Sequence, residues 1–278
     1  MKKLIFIVVL LTIAMVALAG CGGSSGQESA GDENQAAATG TLQFTANAED
    51  FVREGFESKD GWNLTFEHVY VNLANVTAYQ SDPPFDSEHD TAVSAQIKVE
   101  NVANKTVDLA EGDENAPPIL VAEVADVAAG HYNAISWDMA RAADGPAAGY
   151  SLVIVGQAEK DSRTINFTIK DETQYGYTGG EYVGDERKGV VTEGGTADIE
   201  MTFHFDHIFG DAGTPADDSL NTGAVGFEPF ALLADGDTVE VDMAALKEKM
   251  SAEDFAILEA TLTTLGHVGE GHCRAEVK

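Results

Sequence analysis

Hydrophobic and polar positions alternate along much of the chain from residue 41 onward. Residues 41–47 set Leu42, Phe44 and Ala46 against polar neighbours, the period of a half-buried strand. Residues 62–79 alternate too, with Leu64, Phe66, His68 and Tyr70 on one parity and Val69, Val71 and Leu73 on the other. Apolar side chains on both parities predict a central strand covered on both faces. Shorter strands are predicted at 95–99, 106–109, 119–124, 133–138, 150–156, 164–169, 196–205 and 239–241. Between them lie turn-rich stretches. Residues 81–89 carry Asp-Pro-Pro, and 171–195, rich in Gly, Tyr and acids, read as a hairpin with long loops.

The period changes near the C-terminus. Asp242 is placed to cap a short helix over 243–249. Ser251-Ala-Glu-Asp254 fits a capping box for a second helix running to Leu265, with Gly266 as its stop. Phe255, Leu258, Leu262 and Leu265 recur at helical spacing, a core-packing stripe. The predicted fold class is mostly β: one antiparallel β-sandwich domain over 41–278, with a small C-terminal helical cap at about 242–265.

The N-terminus carries an address. Lys2 and Lys3 precede an apolar core at 4–17, which Leu18-Ala19-Gly20-Cys21 closes. That core is shorter than the roughly 20 residues a spanning helix needs, and its flanks are those of a signal peptide. Leu-Ala-Gly-Cys resembles the lipobox of bacterial lipoproteins. The resemblance implies a signal peptide over 1–20, cleavage before Cys21, and acylation of the Cys21 thiol and its new amino group. Two or more acyl chains hold a protein stably on a bilayer. Residues 21–40 hold no aromatic and no aliphatic side chain larger than alanine, so a flexible tether is expected. Gly22, not an aspartate, follows the lipid-bearing cysteine. The expected place is the bacterial cell envelope, facing periplasm or cell surface, with the outer membrane favoured in a Gram-negative cell.

Charge narrows the partners. With 47 acidic and 16 basic residues the net charge is -31, which repels nucleic acid and anionic lipid headgroups. Once Cys21 is acylated, Cys273 has no partner for an internal disulfide; it is then a metal ligand, half of an intermolecular disulfide, or a buried thiol.

Two knots concentrate the chemistry. Met201-Thr-Phe-His-Phe-Asp-His-Ile-Phe-Gly-Asp211 places His204, Asp206 and His207 in a run patterned as a buried strand. Gly266-His-Val-Gly-Glu-Gly-His-Cys273 places His267, Glu270, His272 and Cys273 on a glycine-bearing loop. Together they hold four of the seven histidines. On a strand, His204 and Asp206 share a face while Phe203 and Phe205 anchor the other, and His207 points away unless the strand ends or bulges. Imidazole with thiolate suits zinc or copper better than calcium or magnesium. The predicted metal ligands are therefore His204, Asp206, His207, His267, His272 and Cys273, with Glu270 and His68 as secondary candidates. His68 also reads as a satisfied core histidine between Phe66 and Tyr70. The competing reading makes His204 and Asp206 a hydrogen-bonded pair and His267 and His272 ordinary loop residues.

Catalytic signatures are absent. The chain has no phosphate-binding loop, dinucleotide fingerprint or His-Glu-x-x-His, and its one Gly-x-Ser-x-Gly run, Gly22-Gly-Ser-Ser-Gly26, falls in the expected tether and not at a strand-to-helix elbow, so no catalytic residue is assigned. Residues 61–79 and 128–139 resemble periplasmic copper-binding β-sandwich proteins of the methanobactin-associated type. That resemblance rests on strand patterning and transfers no ligand. The expected function is a non-enzymatic, membrane-anchored lipoprotein that binds zinc or copper for uptake, buffering or delivery, with a metal transporter or other envelope protein as partner. The alternative is a surface interaction or adhesion sandwich without a metal site. It requires the two histidine groups to lie apart.

Overall fold

Leu42, Phe44 and Ala46 are fully buried on the strand Thr39–Asn47, as the alternation requires. The computed structural model describes residues 37–278. The signal peptide, the lipobox, Cys21 and the tether as far as residue 36 lie outside the described residues. The end predicted for the tether is displaced, because Thr39 and Gly40 already pair with Ala128 and Val127.

The fold is mostly β and, among the described residues, is built from two large open sheets and a small pair of Gly130–His131 with Val190–Val191. The five-stranded sheet runs in the order Gly271–His272, Gly266–Val268, Thr196–Phe203, Thr39–Asn47, Ile119–Ala128. The ten-stranded sheet centres on Asn63–Ser81, flanked by Leu152–Lys160 and Ala134–Met139. Between the strands pairing is antiparallel except for Thr39–Asn47 with Thr196–Phe203 and Arg163–Asp171 with Thr238–Asp242; the isolated bridges Ala142 to Ala148 and Val183 to Gly269 are also parallel. The sheets meet through large side chains: Trp137 of the ten-stranded sheet packs edge-on to Phe203 of the five-stranded one at 6.1 Å, and is backed by its cross-strand partner Tyr177 at 5.4 Å.

The long Asn63–Ser81 strand explains why both parities looked apolar. Register shifts between Phe66 and His68, and again between Ala74 and Thr77, switch its inward face. Trp62 and Leu64 point inward before the first shift, Val69, Val71 and Leu73 after it, and Val76 and Ala78 after the second. His68 is thereby turned outward. Its Nδ1 lies 2.7 Å from Asp108 Oδ2 and its ring stacks on Tyr70. It is a satisfied histidine, but not a core one.

Helices form at Met243–Lys249 and Ala252–Leu262, close to the predicted bounds. The Asp242 carboxylate accepts from the Ala245 amide at 2.8 Å, and Ser251 Oγ accepts from the Asp254 amide at 3.1 Å. Asp254 answers by accepting the Ser251 hydroxyl at 2.7 Å, in place of the backbone bond of a full capping box. The second helix ends earlier than predicted. Thr263 and Thr264 hydroxyls take the carbonyls of Ala260 and Thr261, and Gly266 opens a strand instead of closing the helix.

Phe227 is the hub of an aromatic cluster, with ring centroids 5.3 Å from Trp62, 5.2 Å from Phe167, 6.2 Å from Phe209 and 6.0 Å from Phe230. Phe209 belongs to the single helical turn Asp206–Phe209. The cluster therefore clamps the segment that carries His207.

Candidate metal centre

The buried strand in the first histidine knot stops at Phe203. The His204 amide then donates to the Leu265 carbonyl at 3.1 Å, and the chain bends into Asp206–Phe209. Gly210 closes that turn with φ +66, and a side chain there would collide with Asn221 Oδ1 at 2.5 Å. Glycine is needed on both counts. The shared strand face predicted for His204 and Asp206 does not exist, since Asp206 and His207 are helical. The bend turns His207 back toward His204, with ring centroids 5.6 Å apart.

The second knot is a sheet edge and not a loop. Gly266–Val268 pairs antiparallel with Gly271–His272 across a two-residue turn, Gly269-Glu270. Gly269 has φ +59 while Glu270 keeps an ordinary φ, as a Gly-x hairpin turn requires. This hairpin joins the main strand through Thr202 opposite His267 and Phe203 opposite Gly266. His267 and His272 face each other in register, with Nε2 and Nδ1 3.0 Å apart.

The two knots converge. His267 lies 4.1 Å from His204, 5.0 Å from His207 and 4.8 Å from His272, centroid to centroid. His204, His207 and His267 each offer a nitrogen within 4.8 Å of the others. His272 is exposed at the rim, 6.5 Å from His207. Each of the three inner rings has an oxygen on its Nδ1 side. Thr264 Oγ1 is 3.0 Å from His207, the Leu265 carbonyl 3.3 Å from His267, and Glu49 Oε2 3.6 Å from His204. Such partners orient ligating imidazoles and fix their tautomers. A cavity of about 500 Å³, lined in part by His207, His272, Leu220, Thr261 and Thr264, opens beside the cluster. It gives an ion an access path.

Burial sets the protonation states. It pushes His207 down to about 4 and His267 to about 3, and the neighbouring imidazoles push the same way. Both rings are neutral at pH 7, the form that binds metal. Burial, then the charges of Glu270 and Asp206, raise Glu49 to about 8. Burial also raises Asp206, against the pull of His204.

The signs differ. An unfolded histidine gains its proton near 6.5, so the two depressed histidines weaken the metal-free fold as pH falls below that value. Glu49 keeps its proton in the fold up to about 8 but loses it near 4.5 when unfolded, so its contribution is lost as pH rises between those values. In chelator-treated protein, the melting temperature of wild type relative to Glu49→Gln is expected to fall from pH 4.5 to 8 and then level off. A difference independent of pH would contradict the buried, protonated state of Glu49.

The other predicted ligands are placed elsewhere or at the margin. Cys273 belongs to neither cluster of potential ligands among the described residues, so the structure does not bring it to the histidines. It follows His272 on the chain, and its Sγ sits where a side chain on Gly179 would go. Burial raises its thiol pKa, keeping it protonated. His68, in the other sheet with Asp108, is likewise not brought in. Asp206 is buried beside the cluster without joining it, its Oδ1 lacking a hydrogen-bond partner. Glu270 does join a group, with His204 and Glu49. Sequence reading missed Glu49, which precedes the first knot by more than a hundred residues. Its φ of +57, unusual for a non-glycine residue, is visible only in the structure.

No protein-family model, curated protein or solved structure matches the chain.

Proposed function

We propose that this protein binds a transition metal ion, zinc or copper, through His204, His207 and His267, with His272 at the rim. The carrying observation is that four imidazoles from two distant segments are packed together, three of them with nitrogens within 4.8 Å of one another. Neutral imidazole nitrogen favours zinc and copper over calcium and magnesium. The sheet edge and the clamped helical turn hold the rings in place, so little ordering entropy opposes capture. With Cys21 acylated, the domain is a lipid-anchored envelope protein that takes up, buffers or delivers the ion without catalysis, in exchange with an envelope transporter. The adhesion alternative needs separated histidine groups, and the contact between His204 and His267 argues against it.

Zinc titration of the chelator-stripped protein against a competing chromophoric chelator tests this reading. A tight, stoichiometric phase that survives millimolar magnesium is expected. If zinc is held only as weakly as by surface carboxylates and magnesium displaces it, the reading is rejected.

A further inference from the structure

His204 turns its Nε2 side to the hairpin, 3.3 Å from the Gly269 carbonyl. On the other, its Nδ1 lies 3.6 Å from Glu49 Oε2, and Glu49, His204 and Glu270 each offer a ligand atom within 4.8 Å of the others. Asp206 stands beside them, only 8% exposed, with its Oδ1 buried and unpartnered among the described residues. Leaving such an oxygen unsatisfied destabilises the fold, and more so when it is charged. None of these three carboxylates is paired with a lysine or arginine among the described residues. Two acids and a buried imidazole, backed by an orphaned carboxylate oxygen, form a seat where a cation can replace the proton that Glu49 holds.

Resting on the imidazole reading above, we propose that the centre holds two divalent ions bridged by His204. One sits with His207 and His267. The second sits with Glu49 and Glu270, and Asp206 adds negative charge beside it. Filling both seats sends two protons to solvent, the remaining ring N–H proton of His204 and the one that Glu49 holds up to about 8, and leaves one nitrogen lone pair of the imidazolate on each ion. No electrons are exchanged. Glu270 is exposed and Glu49 half-buried, so the carboxylate seat is the exchangeable one. An ion arriving there passes to the inner seat through a ligand common to both.

The test uses the full-length chain purified in detergent, stripped of metal, and titrated with zinc in excess magnesium. Wild type is expected to bind two zinc ions, and the isosteric Glu49→Gln/Glu270→Gln variant one, with the first affinity lowered by no more than the 10–100-fold that losing an orienting partner of His204 costs. Copper(II) supplies an independent readout on the unmodified chain. The first equivalent gives a full electron paramagnetic resonance signal, and the second diminishes it as two spins couple through the imidazolate. In the variant the second equivalent leaves the signal intact. One zinc in both proteins, or a second zinc that persists in the variant, overturns the two-ion inference and leaves the single histidine seat standing. No tight zinc in wild type overturns both.

Discussion

Alanine at His267 is expected to lower zinc affinity about 100-fold or more while leaving the domain folded. This residue is central to the cluster, with its ring within 5.0 Å of His204, His207 and His272. Loss of a residue that merely orients a ligand costs 10–100-fold in metal affinity, so loss of a ligand costs at least the upper end. The fold tolerates the change because the hairpin is held by its backbone ladder and by Val268, which is 1% exposed. Removing one imidazole also relieves crowding among rings that hold one another's proton affinity down. Cys273→Ala and His68→Ala provide the contrast. Their side chains lie against Gly179 and Asp108, and zinc affinity is expected to stay within a few-fold of wild type. Competition titrations on the three variants decide it. If Cys273→Ala weakens zinc as much as His267→Ala, the thiol is a ligand and the geometry described above is wrong.

What the chain made legible was local. Period-two alternation located the Thr39–Asn47 and Thr196–Phe203 strands, because one buried face per strand leaves a direct mark in composition. Two histidine knots were visible for the same reason, as short runs. Their meeting in space was a wager, since the pairing of Thr202 with His267 depends on tertiary packing that no window of residues contains. Errors came where a local sign has two meanings. The shared face of His204 and Asp206 assumed a strand that continued, but the bend at Phe205 and Gly210 ends it. Apolar residues on both parities of Asn63–Ser81 suggested a central strand covered on both faces; it is central and its middle is buried on both faces, with Asn72 and Ala74 as well as Val71 and Leu73, while two bulges add to the pattern by switching the inward face. Glu49 left no trace, because an acid in an acidic chain becomes a candidate only through its neighbours.

Gly266 is the sharpest of these ambiguities, and it links stability to the site. A glycine after a helix reads as its left-handed stop, but this one is extended and lies in a strand against the face of Tyr177. A Cβ placed there would stand 2.6 Å from the ring carbons Cγ and Cδ1. Tyr177 has little freedom to yield. It is 1% exposed, donates its hydroxyl to the Leu262 carbonyl at 3.0 Å, and packs between Trp137 and Tyr175. Gly266→Ala is therefore set between two effects. The stiffer unfolded chain gains about 0.4–1 kcal/mol, whereas overpacking a closed core costs about 1–3 kcal/mol. With backbone and a rigid ring on either side, the clash is expected to win by about 2 kcal/mol, lowering the melting temperature by roughly 4–8 °C. Because Gly266 begins the hairpin that carries His267, the displaced strand takes the imidazole with it, and zinc affinity is expected to fall at least tenfold. Gly223→Ala is the control, since the added methyl meets nothing within 4 Å. A Gly266→Ala protein that melts with wild type and binds zinc equally well would show that Tyr177 can move aside. The hairpin would then be held by its ladder to Thr202 and Phe203 and by the Val183 backbone, which bonds Val268 and Glu270.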